Sequence, residues 1–245
     1  MNHSPQQPRP GGVRVRPPAE HQDAPARLPA FSELAGLGPH LARTGLAGLL
    51  VFVAMWLVNA QALTNPVDDA IWQASLTWRT AALDTFFSAL TQAFNTLPMT
   101  IYVLVALGVF IWRYRSAWPL ATLGGTMILA PLAVTVLKNL MDRPRPSLNH
   151  RLVEELTFSF PSGHSTSTAA FCAALFFTAY PALTQKGRRA LGVGLGVLAV
   201  TIGFSRIYVG VHWATDVVGG LALGLAIACL VHLAVFTAYT RNQKS

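Results

Sequence analysis

The chain has 245 residues, 52% hydrophobic and only 11% charged, with mean hydropathy +0.43. A soluble domain averages about 25% charged residues, so the composition excludes an ordinary soluble globule and points to a membrane protein. A net charge of +8 and a pI near 10.2 would suit nucleic acid only if the basic residues gathered on one solvated face; they lie instead in short clusters between apolar runs, so no nucleic-acid partner is expected.

Residues 1 to about 40 are rich in Pro, Gln, Gly and Arg, including Pro5, Pro8, Pro10, Pro17 and Pro18, and read as a disordered tail. The first apolar run starts beyond residue 40 and is long enough to cross a bilayer, unlike the short, early apolar region of a cleaved signal. A true initiator downstream of Met1 stays open as the alternative. Six stretches then approach the roughly 20 apolar residues that a spanning helix requires. They lie at about Thr44–Leu63, Leu97–Trp112, Ala117–Leu137, Ser165–Leu183, Ala190–Phe204 and Val217–Ala238. The expected fold is therefore all-α, a polytopic membrane domain of six transmembrane helices over residues 41–240. The two cysteines, Cys172 and Cys229, fall inside apolar runs and read as small hydrophobes.

An even number of spans puts both ends of the chain on one side. If that side is cytoplasmic it holds 12 of the 18 Lys and Arg residues, as the positive-inside rule favours. Arg79, Lys138, Arg143, Arg145, Arg151 and Arg206 fall on the other side. The expected location is the inner (plasma) membrane, with the polar motifs on the extracytoplasmic face.

Between the first two spans, Asn65-Pro66 followed by Asp68 and Asp69 reads as a helix start: a cap, a proline at the first position and acids in the first turn. Ile71, Ala74, Trp78, Ala82, Phe86, Leu90 and Phe94 then recur at helical spacing, with Asn95 to Pro98 as the breaker. The stripe fits a connector packed on the bundle, or an interfacial helix in the headgroup layer that helps to admit a lipid.

Polar chemistry interrupts the apolar runs at three later points. Lys138 ends the third span and Arg145 follows between Pro144 and Pro146, which stiffen the backbone. Taken alone the two cations would pass as span-end anchors. Together with the other motifs, Lys offers a point charge and Arg a planar fork to phosphate oxygens, while Arg143 reads as a surface charge. In Pro161-Ser162-Gly163-His164, Ser162 is a plausible N-cap of the fourth span, and Gly163 leaves backbone N–H groups open to an anion. In the third segment, Ser205-Arg206 is followed by His212 and Asp216. The last two are four residues apart, so they would stack on one face of the helix that opens the sixth span. A carboxylate beside an imidazole fixes its tautomer and leaves the other nitrogen free to attack. His232 lies about 24 Å further along that helix, out of reach, and takes a packing or interfacial role. His150, Glu154 and Glu155 lie between the first two motifs and could shape access.

The three segments match the pattern K-x6-RP, PSGH, SR-x5-H-x3-D without a substitution, and so resemble the signature of the type 2 phosphatidic acid phosphatase (PAP2) family. The resemblance implies a membrane lipid phosphatase. His212 would be the nucleophile, held by Asp216, and His164 the general acid, with Lys138, Arg145, Ser162, Gly163 and Arg206 binding phosphate. The reaction would run through a phosphohistidine. No cofactor or metal is expected, because Asp142 stands alone and Asp216 is engaged with His212, leaving no carboxylate cluster for Mg²⁺. Relatives of this layout act on undecaprenyl diphosphate, phosphatidylglycerophosphate or phosphatidic acid, and the first is ranked highest here. A vanadate-dependent haloperoxidase shares the pocket type, but six spans favour a lipid substrate. An anion transporter would show an internal repeat with interrupted helices, whereas each motif occurs once. Oligomeric state stays open.

Overall fold

A computed structural model describes residues 37–61 and 65–242. The expected disordered tail lies outside these residues up to position 36, as does Leu63 at the end of the first expected span. Among the described residues all regular structure is helical. The helices are α1 (Gly38–Gln61), α2 (Pro66–Thr77), α3 (Ala81–Gln92), α4 (Thr96–Tyr114), α5 (Gly125–Met141), α6 (Gly163–Ala179), α7 (Gln185–Tyr208) and α8 (Ala214–Asn242). A π-helical turn, Leu120–Gly124, leads into α5, and a 3-10 turn, Tyr180–Ala182, follows α6.

Five of these segments are long and apolar enough to cross a membrane: α1, α4, Leu120–Met141, α7 and Ala214–Arg241. The fourth expected span corresponds to α6, whose 17 residues give about 25 Å against a hydrocarbon core of about 30 Å. α6 is the inner helix of the bundle, packed against α8, α7 and α5. Its side chains meet protein instead of lipid, so its first turns tolerate Ser165, Thr166, Ser167 and Thr168. Close approach to α8 is built from glycine. A Cβ on Gly224 would sit 2.2 Å from the Thr166 carbonyl, and one on Gly220 would sit 2.7 Å from the Ser162 carbonyl. The two glycines thus seat the start of α6 directly against α8. α1 lies along α8, and its Phe52 stacks on Phe160 at 5.7 Å, which anchors the segment just before Pro161. Cys172 and Cys229 are buried free thiols, as expected.

The stretch after the first span differs from the single helix expected. Asn65 caps α2, accepting from Asp68 N at 2.9 Å with Pro66 in the first turn, but the helix stops at Thr77. α3 then starts anew with Thr80 as its cap. The apolar stripe also faces outward. Ile71, Ala74, Trp78, Ala82 and Phe86 are exposed and only Leu90 and Phe94, at its end, are half-buried, whereas the buried positions on α2 and α3 are Asp68, Trp72, Ser75 and Thr91. In a membrane protein an apolar face need not seek the protein interior, because lipid solvates it equally well.

Candidate active site

The end of α5, the start of α6, the end of α7 and the start of α8 lie at one end of the bundle, and they bring the three motifs together. Ser162 caps α6, its Oγ accepting from Ser165 N. Gly163 and His164 follow in the first turn. Lys138 Nζ donates to Thr157 Oγ1 and the Phe158 carbonyl at 2.8 and 2.7 Å. Arg145 donates through Nε to the Thr157 carbonyl at 2.6 Å, and through one terminal nitrogen to the Val211 carbonyl at 2.8 Å and to His212 Nε2 at 3.1 Å. Arg206 is buried. It donates to Thr91 Oγ1 and to Glu155, while its Nε is buried with no hydrogen-bond partner among the described residues. A buried guanidinium N–H without an acceptor is costly, and an anion oxygen would satisfy it.

His212 does not stand on the final helix as expected. α8 begins at Ala214, and His212 lies in the preceding turn, which Gly210 opens with φ +79°. Asp216, in the first turn, reaches back to accept from Trp213 N at 2.9 Å, and this capping bond ends the helix before His212. The pair still forms, with His212 Nδ1 3.3 Å from Asp216 Oδ2. Arginine only donates, so in this contact Nε2 accepts through its one lone pair, which puts the proton on Nδ1, facing Asp216. Burial first, then the Arg145, Lys138 and Arg206 cations, hold the His212 imidazole well below its ordinary range. This environment favours the neutral ring. Burial likewise lowers Arg145 from its usual value, partly countered by Glu155 and Asp216.

Arg143, read from the sequence as a surface charge, is fully buried. It donates to Asp216 Oδ1 at 2.5 Å, to Asp68 Oδ2 at 2.7 Å and to Thr215 Oγ1 at 2.8 Å. Asp216 also accepts from Ser159 Oγ. Asp68 in turn accepts from Thr215 N at 2.9 Å, so α2 is tied to the start of α8 through a buried cation between two buried carboxylates. The sequence reading gave Glu155 only a role in access, whereas it bridges Arg145 and Arg206; it took Asn95 for part of a helix breaker, and it missed Thr157 and Thr91. The signal for Glu155 was its place between two motifs. His232 is buried away from the site, against the Ala228 carbonyl and Phe177, in the packing role expected.

A cavity of about 850 Å³ opens from this cluster between α4 and α5. Its polar end carries Lys138, Arg145, His164 and His212; its walls are apolar, including Met99, Val103, Leu107, Met127 and Val134. It runs along α5 from Gly124 to Lys138, 14 residues or about 21 Å. A phosphate held by cations at one end and an apolar chain along the rest would fit it.

The family model described as the PAP2 superfamily matches residues 119–240. The chain is 34% identical over 191 residues to a phosphatidylglycerophosphatase B of Bacillus subtilis, covering 74% of this chain and 91% of that one. It is 26% identical over 160 residues to an undecaprenyl-diphosphatase of the same organism, covering 63% and 76%. Among solved structures, the crystal structure of a transmembrane PAP2-type phosphatidylglycerolphosphate phosphatase from Bacillus subtilis matches with a TM-score of 0.71 at 27% identity, covering 81% of this chain and 96% of that one.

Proposed function

The chain belongs to the PAP2 superfamily of membrane phosphatases, and from that premise we propose that it hydrolyses a lipid phosphate or diphosphate through a phosphohistidine on His212. The observation that carries the reading is the contact of His212 Nε2 with Arg145, 3.1 Å apart at the polar end of an apolar cavity, where a substrate phosphate would draw the guanidinium to its own oxygens and release the Nε2 lone pair. Nε2 attacks phosphorus while the P–O bond to the lipid breaks, and the leaving oxygen takes a proton from His164. Water then attacks the phosphohistidine, giving its proton to His164, and inorganic phosphate leaves as His212 regains its lone pair. Lys138, Arg145, Arg206 and the start of α6 at Ser162 and Gly163 stabilise charge on the other phosphate oxygens. Asp216 steadies the charge that develops on His212.

The mechanism calls for no metal, because Lys138, Arg145 and Arg206 supply the positive charge that faces the phosphate. α6 crosses with the five longer spans, and the site faces the outside of the inner membrane. The outward apolar faces of α2 and α3 rest in the headgroup layer. The length and apolar walls of the cavity support a lipid over a soluble phosphate ester. The 34% identity to a phosphatidylglycerophosphatase B supports phosphatidylglycerophosphate at least as well as undecaprenyl diphosphate, so both head the panel to be tested, with phosphatidic acid.

The test is phosphate release by purified protein in detergent with excess chelator, followed by rapid quench with labelled substrate. At least one of the three lipids turns over, vanadate inhibits as a mimic of the five-coordinate transition state, and acid-labile phosphate is trapped on His212 and lost in His212→Ala. Abolition of activity by chelator, or label trapped on His164, would overturn the mechanism.

A further inference from the structure

Asn95 precedes α4 with the extended backbone of a helix cap, φ −65° and ψ 170°, yet its side chain makes no capping hydrogen bond. Asparagine is favoured at this position because its side-chain oxygen accepts from the next turn's backbone N–H. Here Oδ1 lies 2.7 Å from His164 Nε2 instead. An amide oxygen only accepts, so the imidazole donates and carries a proton on Nε2. The Thr91 backbone carbonyl also faces this ring, and the Thr91 hydroxyl accepts from Arg206. The corner between α3 and α4 thus touches both the acid and a phosphate-binding arginine. Asn95 and His164 line the same cavity, so the N–H they share borders the space that the leaving group would occupy.

We propose that Asn95 is a positioning residue for general acid catalysis, orienting His164 and keeping on Nε2 the proton that the leaving lipid oxygen receives. This rests on the reading of His164 as the acid. In its acid form the ring carries a proton on each nitrogen. As the leaving oxygen replaces Asn95 Oδ1 as acceptor of the Nε2–H, the bond from His212 Nε2 to phosphorus forms and the P–O bond breaks; the electron pair goes to the lipid oxygen, which takes the Nε2 proton and leaves His164 neutral. In the second step that nitrogen takes a proton from the attacking water, restoring the acid form, while the P–N bond breaks with its electron pair returning to His212. Asn95 changes no bonds; it determines where the proton waits.

A residue that acts through the acid should matter in proportion to how much the leaving group needs a proton, which a residue that merely supports the fold would not do. The experiment compares Asn95→Leu, Asn95→Asp and His164→Ala in the full chain in detergent. The substrates are the best lipid of the panel above and p-nitrophenyl phosphate, whose leaving group needs no protonation. Asn95→Leu should lower lipid turnover roughly 10-fold, the scale of one lost hydrogen bond, and change aryl phosphate turnover by no more than about 2-fold. Asn95→Asp keeps an acceptor oxygen and should retain most of the lipid rate. His164→Ala should show the same selectivity more strongly, roughly 10²-fold or more. Equal losses on both substrates in Asn95→Leu, or no loss on either, overturn the proposal while a selective His164→Ala leaves the mechanism standing. If His164→Ala itself loses both substrates equally, the assignment of the acid fails and the role of Asn95 falls with it.

Discussion

Replacing Arg143 by Met keeps most of its length and removes its charge. In the folded protein this strands two carboxylates at once, because Asp68 and Asp216 both have side chains at 0% exposure and both are paired with Arg143. Removing one partner of a buried ion pair costs about 3–5 kcal/mol, mostly from the uncompensated charge left behind. Each carboxylate keeps other donors, Asn65 and Thr215 for Asp68, Ser159 and Trp213 N for Asp216, so the middle of that range, about 4 kcal/mol, is expected. For a chain of this size it corresponds to a fall in Tm of roughly 8–16 °C. Adding Asp68→Asn removes one of the stranded charges and should recover about half of the fall. Turnover should stay low in the double variant, because Asp216 still lacks its Arg143 donor. Thermal unfolding in detergent followed by tryptophan fluorescence reads the first effect, helped by Trp213, whose ring lies 5.7 Å from the guanidinium; phosphate release reads the second. A fall of less than about 2 °C in Arg143→Met, or a further fall on adding Asp68→Asn, would refute the view of Arg143 as the buried counter-ion of both acids.

Glu155 holds Arg145 and Arg206 in the absence of substrate, so it competes with phosphate for both; Glu155→Gln should tighten inhibition by inorganic phosphate roughly 3- to 30-fold, measured as a competitive Ki, and an unchanged Ki would disprove the competition. The depressed His212 ring should stay neutral as pH falls through about 6.5, the ordinary histidine value, so its signal in histidine-selective NMR, identified by its loss in His212→Gln, should not titrate near that value. The same shift means that the unfolded chain takes up a proton that the folded one refuses, so stability falls as pH drops below about 6.5. For topology, Leu156→Cys, at a position 97% exposed, should react with an impermeant thiol reagent in intact cells, and Lys186→Cys only after lysis; the reverse pattern would move the site to the cytoplasm.

What the linear chain alone determined is local or compositional. The apolar runs announced helices in a membrane, the Asn65 and Ser162 caps followed from side chains that reach their own next turn, and the resemblance to the PAP2 motifs grouped Lys138, Arg145, Ser162, Gly163, His164, Arg206, His212 and Asp216 as one expected set. Tertiary structure decided whatever depends on partners distant in the chain. Arg143 looks like any juxtamembrane cation until Asp68, 75 residues away, and Asp216 are seen to enclose it. Asn95 looks like a helix breaker until His164, 69 residues on, takes its oxygen. Periodicity marked an apolar stripe on α2 and α3 but not which way it faces, because lipid and protein interior are similarly apolar. A spacing of four placed His212 and Asp216 together but not on one helix, since the Asp216 capping bond to Trp213 N starts α8 at Ala214, two residues past the histidine. Sequence spacing specifies which groups can meet within a turn or two of backbone; only the packing of α5, α6, α7 and α8 at one end of the bundle specifies which charges are left without water and must therefore find one another.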